Sequence, residues 1–163
     1  SDTGTTEIVD YIKVGQTRTF SVPRTTEYLP AKKSVFNKIV GDSNFELRFA
    51  GFLDATIDVR SFVKNFKQLN FKISYIKSDG SIGNYYPDFT IKLNDGSMWV
   101  VETKGAENID DPKKIDRLKT WCEDASETTG KSWDYLYVKQ EIWDQIKITP
   151  NSFKEIINVF KKW

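Results

Sequence analysis

The sequence predicts an α/β fold: a mixed β-sheet of about four to five strands flanked by helices. Three observations carry this. Two strand-like segments, Tyr85–Leu93 and Ser97–Thr103, flank Asn94-Asp95-Gly96, residue types that tolerate positive φ and close hairpins. A helical stripe precedes the hairpin (Phe45, Phe49, Phe52, Leu53) and another follows it (Ile115, Leu118, Trp121, Cys122). Beyond the second stripe lies a further strand-like run, Asp134–Lys139, so strand and helix signals alternate rather than segregate.

Taken in order, residues 1–40 are rich in Thr, Ser and Lys without helical periodicity, and read as an arm or linker with a short strand at Thr17–Val22 ended by Pro23. A compact domain is expected over 41–163. Ser43 and Glu46 have capping-box spacing at the start of the first helix. Val59, Phe62, Val63 and Phe66 suggest a second helix directly after it. Phe71–Ile76 alternates as a strand, and Ser78-Asp79-Gly80 signals a turn. A helix is expected from about Pro112 to Thr128, and a last one opens at Pro150-Asn151-Ser152 with Phe153, Ile156, Ile157, Phe160 and Trp163 in a stripe. The coarse order is α, α, β, β, β, α, β, α.

Composition removes several chemistries. The 163 residues contain no histidine, which excludes Ser-His-Asp and Cys-His nucleophiles and imidazole bases. The single cysteine, Cys122, makes no internal disulfide and no Cys/His zinc site; it fits a cytoplasmic location and a small buried apolar role. No apolar run reaches the roughly 18 residues of a membrane span, and no secretory signal pattern is evident. Catalysis, if present, must use carboxylates, lysines, hydroxyls and a hard metal ion such as Mg²⁺. The net charge of +1 gives little overall attraction to nucleic acid. Between residues 60 and 77, however, Arg60, Lys64, Lys67, Lys72 and Lys77 occur without an acid, which fits either a phosphate-facing stripe or a solvated helix face.

The hairpin supplies the candidate site. With a three-residue loop at 94–96, antiparallel partners sum to 190, so Phe89 opposes Val101, Ile91 opposes Trp99, and the odd positions make an apolar face. The even positions point the other way, which sets Asp88 across from Glu102, with Lys104 two residues further on and Tyr86 opposite Lys104. Two carboxylates this close repel unless a cation lies between them, and a divalent metal would polarise a phosphodiester and acidify bound water. Lys104 would orient or help deprotonate that water, or neutralise transition-state charge. A solvated cross-strand ion pair would use the same three residues without any chemistry. Pro87 ahead of Asp88, and Val100-Val101 and Gly105 around Glu102–Lys104, favour a built site.

Pro87-Asp88 followed by Glu102-Thr103-Lys104 resembles the PD-(D/E)XK signature of restriction and repair nucleases. The wider text, Tyr85-Tyr86-Pro87-Asp88-Phe89, Asp95-Gly96, Val100-Val101-Glu102-Thr103-Lys104-Gly105 and Trp121-Cys122, is similar to the C-terminal endonuclease domain of the restriction subunit of Type III restriction-modification systems, over about Lys38 to Val138. The resemblance implies a restriction-endonuclease-like fold and Mg²⁺-dependent cleavage of double-stranded DNA, with Mn²⁺ able to substitute. It implies Asp88, Glu102 and Lys104 as catalytic residues and Asp88 and Glu102 as metal ligands. Glu46 is a further metal candidate by position; as the N3 residue of the Ser43 capping box it has an equal structural use. Lys64, Lys67, Lys72, Lys77 and Tyr86 are candidates for contacting DNA. The resemblance also implies a helicase-like motor upstream in the full-length chain, to which residues 1–40 would lead, and a separate modification methyltransferase subunit as partner. No G-x-x-x-x-G-K-[ST] loop is present in this chain, so no ATP site is expected within it. Two other readings use the same residues: a catalytically silent nuclease-like DNA-binding module, and a subunit-docking module acting through residues 1–40.

Among the remaining residues, Lys113, Lys114, Arg117 and Lys119 are interspersed with Asp110, Asp111 and Asp116, which suggests pairing within the helix rather than phosphate contact. Trp121, Trp133, Trp143 and Trp163 have core spacing.

Overall fold

The computed structural model describes residues 29–36, 38–66 and 69–161. The possible strand at Thr17–Val22, Lys67, Trp163 and most of the expected arm lie outside the described residues. Twelve elements follow one another among those described: β1 (Leu29–Pro30), β2 (Lys38–Ile39), α1 (Asn44–Ala55), β3 (Val59–Lys64), β4 (Ile73–Ile76), β5 (Ile82–Tyr85), β6 (Phe89–Leu93), β7 (Met98–Lys104), α2 (Asp111–Thr129), β8 (Trp133–Lys139), α3 (Gln140–Trp143) and α4 (Phe153–Phe160).

A four-stranded sheet in the order β3-β6-β7-β8 forms the centre. β6 is antiparallel to both β3 and β7, and β7 is parallel to β8, so the sheet is mixed. α2 makes the long crossover that a parallel pair requires. The β6–β7 register is the one that apolar matching predicts, Phe89 with Val101 and Ile91 with Trp99. The turn also matches: the Gly96 N–H donates to the Leu93 carbonyl at 3.0 Å, and Gly96 sits at φ 85, where a side chain would be strained.

Strand alternation sorts the core into two layers. Phe89, Ile91, Leu93, Trp99 and Val101 face a cluster completed by Phe45, Phe49 and Leu53 of α1 and by Phe153, Ile156 and Phe160 of α4. On the opposite side Val100 packs with Leu118 and Cys122 of α2, and with Ile73, Tyr75 and Tyr85 of a separate two-stranded ribbon, β4–β5. The sheet is therefore covered on both sides, the architecture that the resemblance implies. Trp121, Trp133 and Trp143 are packed against other aromatic rings, as their spacing suggests.

Two segments depart from the expected elements. Val59, Phe62, Val63 and Phe66 do not make a helix: residues 59–64 form β3. Segment 33–35 runs along the outer edge of β3, with the Val35 N–H donating to the Phe62 carbonyl and the Phe62 N–H to the Lys33 carbonyl. With that edge covered and Phe62, Val63 and Lys64 buried in succession, β3 loses the in–out alternation that distinguishes a strand, and its apolar spacing imitates a helix. Residues 29–36, expected to belong to an arm, are tied to the domain here; the Asp54 carboxylate also accepts from the Lys32 and Lys33 N–H groups at 2.9 and 2.7 Å. The expected strand Tyr85–Leu93 is broken into β5 and β6 at Tyr86-Pro87-Asp88. Pro87 has no N–H for a ladder, and the chain changes partner there from the ribbon to the central sheet.

The other ends follow their caps. Ser43 and Ser152 each accept the N3 N–H of α1 and α4 at 3.2 Å, and Gly130 closes α2 in the left-handed region at φ 67. Asp58 joins two elements: its carboxylate accepts from the first two N–H groups of α4, Phe153 at 2.7 Å and Lys154 at 3.0 Å. We expect Asp58→Ala to cost about 1–3 kcal/mol, since two charge-assisted bonds at a helix N-terminus are lost together. Urea unfolding of the variant beside the unaltered chain measures it; an unchanged midpoint would show that α4 docks without this link.

Candidate active site

Asp88 stands where β6 begins, one residue before the last paired position, Phe89 with Val101. Its side chain and carbonyl both continue the sheet by other means. Oδ2 accepts from the Thr103 N–H at 2.8 Å and from the Thr103 hydroxyl at 2.7 Å, and the carbonyl accepts from the Asn65 N–H at 2.7 Å. In the continued register that Thr103 N–H would face Pro87, so a carboxylate takes the place of a main-chain acceptor at the end of the ladder.

Glu102 has the parity of Val100 and so points to the ribbon side, where Tyr85 donates its hydroxyl to Oε2 at 3.0 Å. Oε1 accepts no hydrogen bond among the described residues. Burial and the Asp88 charge push the Glu102 carboxyl well above its usual range, against the smaller opposing influences of the Tyr85 bond, Lys104 and Lys114. Burial also raises Asp88, opposed by Lys64 and the two Thr103 bonds. Glu46 is raised by burial and then by Asp88, with Lys64 opposing. Three carboxyl groups at one end of the sheet thus hold their protons more tightly than they would in water.

Glu46 arrives from the first turn of α1. Its N–H is capped by Ser43, and its Oε2 accepts at 2.6 Å from the N–H of Asp42, one residue ahead of the cap where a capping box would use Ser43. The same Oε2 lies 3.7 Å from Lys64 Nζ, which is also 4.0 Å from Asp88 Oδ1. The capping use and the proximity to Asp88 therefore coexist.

Lys104 follows Glu102 on the same side of β7, but its Nζ reaches Asp111 Oδ1 at 3.2 Å. Asp111 is buried at the first position of α2; it also faces Lys114 at 3.5 Å and accepts the Asn108 N–H at 2.7 Å. The ammonium is accordingly tethered to the helix while it acts on Glu102 through its charge.

The basic run between 60 and 77 is not a helix face. Lys64 is buried on β3, Lys72 is exposed ahead of β4, Lys77 is half-buried after it, and Lys67 is outside the described residues. A strand end and a separate ribbon stand in place of the solvated helix face that is one reading of this run. Tyr86 is 47% exposed beside Pro87. In α2, Lys114 pairs with Asp111, whereas Arg117 Nε donates to the Ser74 carbonyl of the ribbon at 3.1 Å and Asp110 accepts from Ser78, so only part of the expected internal pairing forms. Sequence reasoning missed Lys64 as a neighbour of the carboxylates, Thr103 as the anchor of Asp88, and Asp111 as the anchor of Lys104. The Thr103 hydroxyl between two charged motif residues was a signal; the sequence marked Lys64 only as part of a basic run and Asp111 only as a partner for lysines of its own helix.

Among the described residues no group of three or more acidic, His or Cys side chains converges as a ready-made metal cluster. The donor chemistry nevertheless fits a hard cation. Carboxylate oxygens from Asp88, Glu102 and Glu46 are of the type Mg²⁺ takes one or two at a time; burial is the main reason that they hold protons tightly, and the repulsion that Asp88 adds to Glu102 and Glu46 is what such an ion would relieve.

A family model described as "Endonuclease domain" matches residues 32–141. The chain belongs to this family. The matched stretch runs from the segment beside β3 to the start of α3 and contains Glu46, Lys64, Asp88, Glu102, Lys104 and Asp111. This endonuclease domain has no match among curated proteins. No helix among its described residues is long and apolar enough to cross a membrane.

The raised Glu102 carboxyl makes stability depend on pH. Folding holds its proton more tightly than the unfolded chain does, so its contribution is fully present below the ordinary value of 4.5 and is lost as pH rises through the higher folded value. Glu102→Gln keeps the shape and the acceptor for Tyr85 but removes this loss. In metal-free buffer the variant should be more stable than the unaltered chain at pH 8, and the gap should close toward pH 4. Urea melts across that range measure it; a constant gap would mean that Glu102 is not destabilised by its charge.

Proposed function

We propose that the domain is a Mg²⁺-dependent endonuclease that hydrolyses double-stranded DNA, with Mn²⁺ able to substitute, and that it serves as the nuclease portion of the restriction subunit of a Type III restriction-modification enzyme. The observation that carries the reading is the pair of half-buried, proton-hungry carboxylates at the end of β6 and β7, each held by hydrogen bonds of its own, in a chain of the endonuclease domain family. The wider likeness around Tyr85–Phe89 and Val100–Gly105 supports the Type III context. That context would include an upstream motor in the same full-length chain, a modification methyltransferase subunit as partner, and a cytoplasmic location.

Asp88 and Glu102 would hold the ion, with Glu46 near enough to assist. A bound Mg²⁺ would polarise the scissile phosphodiester and lower the pKa of a bound water. The chain's own work is preorganisation. Thr103 fixes Asp88 and Tyr85 fixes Glu102, so the oxygen donors need not be reordered when substrate arrives. Lys104, tethered to Asp111, offers an ammonium to the charge that develops on the phosphate or to the attacking water. The duplex would lie over the ribbon side, where Lys72, just ahead of β4, and Tyr86, two residues before Asp88, are exposed.

Plasmid nicking by excess protein is expected in Mg²⁺ or Mn²⁺ and not in EDTA. Asp88→Ala and Glu102→Ala should each lower it at least about 100-fold, since loss of even an outer contact to a metal ligand costs 10–100-fold. Thermal melting of both variants checks that the fold is retained. Nicking that survives EDTA or either substitution would overturn the reading. Duplex binding without any metal-dependent cutting would favour the silent DNA-binding module instead.

A further inference from the structure

Lys64 is the charged group that the motif does not account for. It sits at the end of β3, opposite Phe89, and its side chain is only 7% exposed. A lysine is rarely buried to this degree without partners. Nζ donates to the Asn65 carbonyl at 2.9 Å and lies 5.9 Å from the centre of the Phe89 ring. Its acidic neighbours are Glu46 at 3.7 Å, Asp88 at 4.0 Å and the exposed Asp42 at 3.8 Å. These separations are too long for hydrogen bonds, so the ammonium acts on the carboxylates through charge, from a position between them.

We propose that Lys64 is a positioning residue: its ammonium holds Glu46 and Asp88 together in the cation-free protein and is the group a divalent ion must outcompete for them. This rests on the metal-dependent reading given above. One buried positive charge at this distance lowers the pull of the carboxylates on any second cation, and with little water between them the effect is poorly screened. The buried ammonium lets the acidic groups stay close while no metal is bound, and the same charge sets how tightly metal is bound.

The test is calorimetric titration of Mg²⁺ and Mn²⁺ into the unaltered chain, Lys64→Met and Lys64→Arg, together with melting in EDTA. Methionine keeps most of the length and loses the charge; arginine keeps the charge. Lys64→Met should bind either ion at least about tenfold more tightly and melt lower in EDTA, while Lys64→Arg stays near the unaltered chain on both counts. Glu46→Gln adds a comparison: it should raise the metal-free Tm of Lys64→Met by more than it changes that of the unaltered chain, because without Lys64 nothing offsets the repulsion from Asp88. If Lys64→Met alone does not fold, the Lys64→Met/Glu46→Gln chain is titrated against Glu46→Gln, with the same tightening expected. A lowered Tm with unchanged ion affinity would reduce Lys64 to an ordinary structural lysine and overturn the inference. If the unaltered chain binds neither ion, the metal-dependent reading itself fails and this inference with it; if it binds and Lys64→Met binds equally, only this inference fails.

Discussion

The hydrogen bond from the Thr103 N–H to the Asp88 carboxylate is the constraint on which the site depends. A sheet normally ends its ladder with main-chain groups alone. Here Pro87 turns the chain away, and an acidic side chain completes the last step between β6 and β7. The arrangement takes charge partly out of water, and burial raises the Asp88 carboxyl against the opposing pull of Lys64 and Thr103. It also fixes the neighbours of Thr103. Glu102 and Lys104 project to the side opposite Thr103 by strand alternation, and each meets its own anchor, Tyr85 or Asp111.

The unfavourable electrostatics of this corner are borne by the aromatic core next to it. Phe89 follows Asp88 and is fully buried between Phe49 and Phe62, with ring centres 5.3 and 6.4 Å away. Phe49 in turn meets Phe52 and Trp143. Large, interlocked rings leave few alternative rotamers, so the strand that carries Asp88 has a stiff base. Carboxylates that resist ionising therefore stay in place instead of relaxing into solvent, the usual compromise of a functional site.

Much of this was legible from residues alone. Pairing Phe89 with Val101 by apolar matching gives the observed register, with Asp88 one residue beyond its last pair and Glu102 one residue beyond Val101. The caps at Ser43 and Ser152 and the turn at Gly96 were legible for similar reasons: each depends on chemistry confined to a few adjacent residues. What escaped depends on distant chain. β3 looks helical because segment 33–35 covers its edge and Val63 and Lys64 are buried along with the core residues Val59 and Phe62, and no local pattern reveals such cover. Lys64 looks like a solvated lysine until α1 brings Glu46 to it. The target of Lys104 was invisible too, because Asp111 lies across a loop whose path follows from the docking of α2.

The turn at Asn94-Asp95-Gly96 lies at the opposite end of its strands from Asp88, yet its length governs which way the acids look. Lengthening it by one residue would slide β7 one step along β6 and exchange the two sides of the strand. Val101 and Trp99 would then be driven toward α2 and the ribbon, and Glu102 into the phenylalanine layer. Interior and chemistry share one ruler, so this loop, exposed and without a charge in the cleft, tolerates less change in size than its location suggests.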